Sequence, residues 1–259
     1  MQFQLDRPFQ AHPLYFDIQD PKLAALLPAW FGAAFREAPS LRRADTEPLL
    51  TISADEPYPL SLIQTFVYQH TTCRDPFFVF HGGAVTRGDS AFLFLASTTT
   101  GKTTLITYLT QIGYTYLDDD CFYLNMNTLE VMPYSAPIHL REGGYRYLKS
   151  ILPSSLPPCR LMEAPGAPRY VFMPSQCTLR STRPKAIFFL NRSENPAVGD
   201  QCRKLSASDA LNRLFTSALI PYQMNLSYIR FFQRLLPLCH EIIYHDAPFA
   251  ASVLEAYHD

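Results

Sequence analysis

The chain has 259 residues, and its 22 Lys plus Arg balance 23 Asp plus Glu, so no summed positive field draws it to nucleic acid or to an anionic membrane. Phosphate recognition, if present, has to be local. With 19 Phe and 15 Tyr against 10 Gly, the composition is that of a packed globular protein, long enough for one large domain or two small ones.

Residues 1 to about 70 alternate short apolar runs, Leu14 to Ile18 and Leu49 to Ile52, with a helix-like segment, Lys22 to Phe35. Frequent prolines there favour short strands and loops, and no motif in this region carries assignable chemistry. Leu60 to Gln69 fits a helix or a strand equally. Phe77 to Phe80 and Ala91 to Leu95, joined through Arg87-Gly88-Asp89-Ser90, predict a β-hairpin, with His81 ending its first strand. A helix is expected from Thr103 to Gln111, ended by Gly113, followed by a strand Tyr114 to Leu117 that stops at Asp118-Asp119-Asp120 and continues as Phe122 to Leu124.

Residues 133 to 182 are proline-rich and read as long ordered loops with short helices, the kind of segment that carries substrate contacts. Lys185 to Leu190 is a strand, Ser206 starts a helix, Asn225 caps another, Glu241 to Tyr244 is a strand and Ala247 to Tyr257 a terminal helix. Six cysteines, Cys73, Cys121, Cys159, Cys177, Cys202 and Cys239, have no C-x-x-C or metal-like spacing, as expected of free thiols in a reducing compartment. The N-terminus lacks a basic stretch before a long apolar run, and no segment approaches the roughly 18 apolar residues of a membrane span, so the expectation is a soluble cytoplasmic protein.

The chemistry concentrates at Ala96-Ser97-Thr98-Thr99-Thr100-Gly101-Lys102-Thr103-Thr104, where an apolar strand enters a small-residue loop that opens a helix. That is the outline of a phosphate-binding loop, in which backbone N–H groups and the helix N-terminus hold a polyphosphate. Lys102 would lie along the phosphates and the Thr103 hydroxyl would ligate Mg²⁺, with a carboxylate completing the set. Ala96 stands where the first glycine of G-x-x-x-x-G-K-[ST] is expected, which requires a negative φ there. At least two of the three threonine hydroxyls are expected to satisfy the loop's own backbone. Strand alternation places Asp118 and Asp120 on one face and Asp119 on the other, unless the strand ends inside the triplet.

His81-Gly82-Gly83-Ala84-Val85, the loop through Leu105, and Gly113 through Asp120 together resemble the catalytic domain of HPr kinase/phosphorylase. The alanine-led Gly-Lys-Thr-Thr form is similar to the HPr-kinase-related serine kinases of ribosomal peptide pathways, including those that modify lasso-peptide precursors. The resemblance covers about residues 77 to 125. It implies an α/β fold with a phosphate loop in a mixed, largely antiparallel sheet flanked by helices, as in phosphoenolpyruvate carboxykinase. The whole chain then reads as one kinase domain, with residues 1 to 70 an N-terminal elaboration and 71 to 259 the catalytic core.

The same resemblance implies ATP and Mg²⁺ as cofactors, Asp119 as general base, Asp120 as the carboxylate near Mg²⁺ and Thr103, and His81 beside the reacting phosphate. The Glu-x-Arg-Gly signature of that family is absent as such. Arg141-Glu142-Gly143-Gly144 is its nearest counterpart and would place Glu142 near the metal and Arg141 near a phosphate, with Arg169 a further contact. The implied activity is transfer to a Ser or Thr hydroxyl of a peptide or small protein, with no nucleic-acid or membrane partner and with homo-oligomerisation left open. A small-molecule kinase and a non-catalytic nucleotide-binding adaptor are the alternatives. An open groove along 133 to 182 would favour a peptide, a small closed pocket a metabolite.

Overall fold

The computed structural model describes the chain except residues 7–11, 32–34, 39–46, 71–75, 134–135, 153–155, 165, 179, 194, 196, 220–224 and 258–259, and except the side chains of 29–31, 64 and 68. The expected thiol Cys73 lies outside the described residues. In chain order the elements begin β1 (Gln2–Leu5), β2 (Leu14–Ile18), α1 (Pro21–Phe31), β3 (Phe35–Glu37), β4 (Leu49–Ile52) and α2 (Pro59–His70). They continue β5 (Phe77–Arg87), β6 (Ser90–Leu95), α3 (Lys102–Gln111), β7 (Thr115–Asp118), β8 (Cys121–Asn125) and β9 (Val131–Met132). Next come β10 (Ile138–Arg141), α4 (Glu142–Ile151), β11 (Arg160–Met162), β12 (Arg169–Phe172) and β13 (Arg183–Arg192). The last are β14 (Gln201–Lys204), α5 (Ala207–Ser217), α6 (Leu226–Leu235), β15 (Cys239–Tyr244) and α7 (Ala247–Glu255).

The central sheet has eight strands in the order β14-β15-β13-β6-β5-β8-β9, with β7 also pairing β5. Its β6–β13 and β13–β15 pairs are parallel and the others antiparallel, so the fold is mixed α/β with a mixed sheet. The apolar runs of this sheet are continuous because both faces are covered. Phe92 and Phe94 of β6 and Phe188 of β13 pack toward α3, α4 and α7, while Leu93, Leu95, Ile187 and Phe189 pack toward α5 and α6. This period-2 division also explains why single-residue register slips are excluded: each would exchange one core for the other.

The first 70 residues form a separate sheet, β3-β1-β2-β4, covered by α1 and α2. Its core includes Cys121 and Tyr123 of β8, so this segment packs directly on the central sheet near its β9 end. The ambiguous stretch at 60 to 69 is helical, and α1 ends at Phe31 rather than running to Phe35, which begins β3. Residues 133 to 182 differ most from expectation. They build a third sheet, β10-β12-β11, beside α4. The described prolines at 133, 137, 157, 158, 168 and 174 all fall between elements, so they mark joints and not an absence of structure. Among the described residues, no helix is long and apolar enough to cross a membrane.

The hairpin is present, with Arg87 opposite Ser90 and Gly88 in the left-handed region at φ 58°. Its first strand does not stop at His81 but runs on through Gly82 and Gly83 to Arg87. On its other edge β5 pairs β8 over residues 77–81 and β7 over 84–86, so β7 and β8 form one edge interrupted by Asp119-Asp120. The interruption closes on β5 through the Gly82 N–H, which donates to the Asp120 carbonyl at 3.2 Å. A Cβ at Gly82 would lie 2.7 Å from the Phe94 backbone oxygen and 2.6 Å from the Phe122 ring. Glycine at 82 is therefore required by Phe94 and Phe122, whereas at Gly83 a Cβ would lie 3.1 Å from the Asp118 carbonyl oxygen and 3.2 Å from Asp119 Cα, against the interruption itself.

Gly82→Ala is expected to destabilise the protein by about 1–3 kcal/mol, whereas Gly199→Ala, where a Cβ meets nothing within 4 Å, should stay within about 0.5 kcal/mol. Urea unfolding of the two variants checks this, and equal midpoints would contradict the packing argument.

Candidate active site

The loop between β6 and α3 is shaped by its own side chains. Thr99 has φ 73° and Gly101, the residue preceding α3, has φ 90°. Ala96 is not among the residues with positive φ, which is why alanine serves where a glycine was expected. A β-branched residue in the left-handed region costs on the order of 1–3 kcal/mol and persists only where its surroundings hold it. Here the Thr99 hydroxyl donates to the Thr98 carbonyl at 2.5 Å and the Thr100 hydroxyl to the Ser97 carbonyl at 2.7 Å. From β15, the Tyr244 hydroxyl donates to the Thr100 carbonyl at 2.8 Å. Two of the three threonines thus satisfy loop backbone. No side chain caps the start of α3, so its first N–H groups are not taken by a cap.

Lys102 opens α3 and is only 8% exposed. Its Nζ lies 3.0 Å from Asp119 Oδ1, and the Thr103 side chain is also hydrogen-bonded to Asp119. Burial works against the Lys102 charge, but attraction to Asp119 and then to Asp120 outweighs it and leaves the pKa raised. Burial likewise pushes the Asp119 carboxyl up, against the pull of Lys102 and the hydrogen bonds from Thr103 and Lys102. The 3.0 Å contact joins the two as a buried ion pair.

The three aspartates take three roles because β7 ends at Asp118. Asp118 Oδ1 accepts the N–H groups of Asp120 at 2.8 Å and Cys121 at 3.1 Å, and Oδ2 accepts that of Ala136 at 3.4 Å. It is the buried brace of the bend and the odd one of the three, in place of the Asp119 that strict alternation singles out. Asp119 turns inward to Lys102 and Thr103, and Asp120, exposed, lines the cavity in front of the loop. The expectation had Asp119 in the base's place and Asp120 beside Thr103; the bend puts Asp119 beside Thr103 and Asp120 in the cavity.

That cavity, about 710 Å³, is of the size that takes a small-molecule ligand. Its floor is Ser97, Thr98, Thr99, Gly101, Lys102, Thr103 and Thr104. His81 borders Asp120, with its ring bonded to the Asp120 backbone. Burial, then Lys102, lowers the His81 pKa, so the imidazole is neutral near pH 7. Across from it stands His139 of β10, lowered chiefly by burial and then raised in part by Asp120. His139, Tyr147 and Arg192 escape a sequence reading. The only local signal was for Arg192, a cation ending the strand that neighbours the loop strand.

Glu142 is not in this cavity. It opens α4 with its carboxylate 2.5 Å from Arg146 Nε and bonded to Tyr170, so the metal-ligand role expected of it is not supported by its position. Arg141, Gly143, Gly144 and Arg169 do line the cavity. Among the described residues no cluster of three or more His, Cys, Asp or Glu side chains could hold a metal ion. The hydroxyl of Thr103 and the carboxylates of Asp119 and Asp120 are hard oxygen donors too few to enclose a cation. That fits Mg²⁺, which takes one or two protein ligands and keeps phosphate and water for the rest.

No protein-family model matches the chain, and no curated protein does. Among solved structures, the chain is similar to the HPr(Ser) kinase/phosphatase from Coxiella burnetii, at 9% identity and a TM-score of 0.33, with 70% of this chain and 95% of that chain covered. At that TM-score the likeness supports no functional reading by itself.

Asp118 gives the site a pH signature. Burial, then repulsion from Asp120, raises its carboxyl from 3.8 to about 7, and the three backbone N–H bonds pull it down only in part. A folded-state pKa above the unfolded value contributes stability that is complete below about pH 4 and lost as pH rises through 7. Asp118→Asn keeps an acceptor for the bend and removes the titration. Between pH 5 and 8 the variant should gain on the wild type by on the order of 2 kcal/mol in urea unfolding. Parallel stability curves would contradict this.

Proposed function

We propose that the protein is an ATP- and Mg²⁺-dependent kinase that phosphorylates a Ser or Thr hydroxyl on a peptide or small protein. The observation that carries this reading is the division of labour between adjacent carboxylates. Asp119 is paired with Lys102 and Thr103 at the loop, while Asp120 lines the cavity together with His81 and His139. Phosphoryl transfer asks for this combination: a place to neutralise phosphate charge, and next to it a base open to the acceptor.

In this account the loop N–H groups and Lys102 hold the donor phosphates, with Arg192 a further cation on the donor side. Thr103 and Asp119 are the residues placed to hold Mg²⁺, which when bound would neutralise the phosphate oxygens. Asp120 accepts the proton of the attacking hydroxyl. His81, neutral and bonded to the Asp120 backbone, holds in place the residue that carries that carboxylate. The roles of Asp119 and Asp120 are thus the reverse of those implied by the motif resemblance.

A peptide is favoured over a metabolite because the 133–182 segment borders the cavity on one side. A second cavity of about 540 Å³ shares Arg141, Gly143 and Arg169 with the first and extends the space away from the loop. An acceptor longer than a single amino acid can therefore leave the site without crossing the loop.

Asp120→Asn should leave Mg–ATP affinity within about threefold while lowering phosphate transfer by about 10²–10⁴-fold, the usual contribution of a general base. Labelled-ATP transfer assays beside calorimetric nucleotide binding make the comparison. Normal transfer by this variant would exclude Asp120 as base.

A further inference from the structure

Arg141 and Arg169 stand directly opposite each other in the β10–β12 pair. Like charges directly opposite across two strands are destabilising. Among the described residues neither has a carboxylate partner: Arg169 donates only to the carbonyls of Ala167 and Pro168, and the neighbouring acid Glu142 is engaged by Arg146 and Tyr170. Burial, and after it the Arg141 charge, lower the Arg169 pKa, so the opposing guanidinium adds to the cost that burial sets. Arg141 also precedes α4 with no side-chain cap on the helix, so N–H groups of the first turn face the same place.

These two guanidinium groups line both cavities, and the second cavity contains no residue of the phosphate loop. An anion bound between them is therefore on the acceptor side, while Lys102 and Arg192 serve the donor side. Resting on the kinase reading above, we propose that Arg141 and Arg169 form a carboxylate-binding site that selects acceptors carrying an acidic group near the phosphorylated hydroxyl. The carboxylate comes from an acidic side chain or from the chain terminus, and the two guanidinium forks suit it in either case.

The test uses serine peptides of one sequence, with Glu or Gln flanking the serine and with a free or amidated C-terminus, labelled from ATP and Mg²⁺. The wild type should label at least one acidic form with kcat/KM about tenfold or more above its neutral counterpart, in line with a charged hydrogen bond. Which form is preferred identifies the source of the carboxylate. In Arg141→Gln/Arg169→Gln the preference should disappear while Mg–ATP binding stays within about twofold of wild type; melting curves and the two single variants establish that the fold is kept. Equal labelling of acidic and neutral peptides overturns the inference and leaves the kinase reading standing. So does a double variant that loses Mg–ATP binding, because the pair would then hold donor phosphate. Fluorescence anisotropy of the same peptides reads binding without transfer, so an acid preference in binding with no labelling would overturn the kinase reading and keep the carboxylate site.

Discussion

The contact on which the site depends is the buried ion pair between Lys102 and Asp119. Removing an ammonium and a carboxylate from water costs several kcal/mol each, and their attraction offsets this only when geometry and further hydrogen bonds are good. Here Thr103 supplies a further bond to Asp119, and Asp120 and Asp118 add to the field on Lys102. The pair is therefore weak evidence for stability and better evidence for position. It ties the first turn of α3 to the bend after β7, and so fixes the loop against the aspartates.

That positioning rests on β5. The strand carries His81; the Gly82 N–H after it bonds the Asp120 carbonyl, and Gly83, with no Cβ, lets Asp118 and Asp119 lie close against its edge. Asp118 braces the bend from behind, so the next two side chains point in different directions although they are neighbours. A regular strand would also have separated them, but would have paired Asp120 with Asp118 on one face. The bend instead turns Asp119 to Lys102 and Thr103 and leaves Asp120 lining the cavity, with Asp118 withdrawn behind both.

Much of this was legible wherever the determining interactions are local. The strands at 14–18 and 49–52, the hairpin turn, and the caps at Ser206 and Asn225 follow from neighbouring residues, and the structure shows Ser206 and Asn225 accepting the N–H groups of Asp209 and Tyr228. The threonine-rich loop was readable for the same reason. What sequence could not supply depends on distant partners. Tyr244 anchors the loop from 144 residues away. Arg169 reaches Arg141 only through the pairing of β12 with β10, and prolines between these elements suggested loops where a sheet forms. That Asp119 and not Asp120 stands beside Thr103 turned on where β7 ends, which no local signal marks.

The central claim is that Asp119 belongs to the metal and Asp120 to the acceptor. Electron paramagnetic resonance of Mn²⁺, titrated into the ADP-bound protein, reads the metal directly. Asp119→Asn should weaken Mn²⁺ binding by about tenfold or more, the scale expected when a carboxylate that holds or orients a metal ligand is lost, and Asp120→Asn should leave it unchanged. Loss of Mn²⁺ affinity on substituting Asp120, with Asp119→Asn behaving as wild type, would contradict the account.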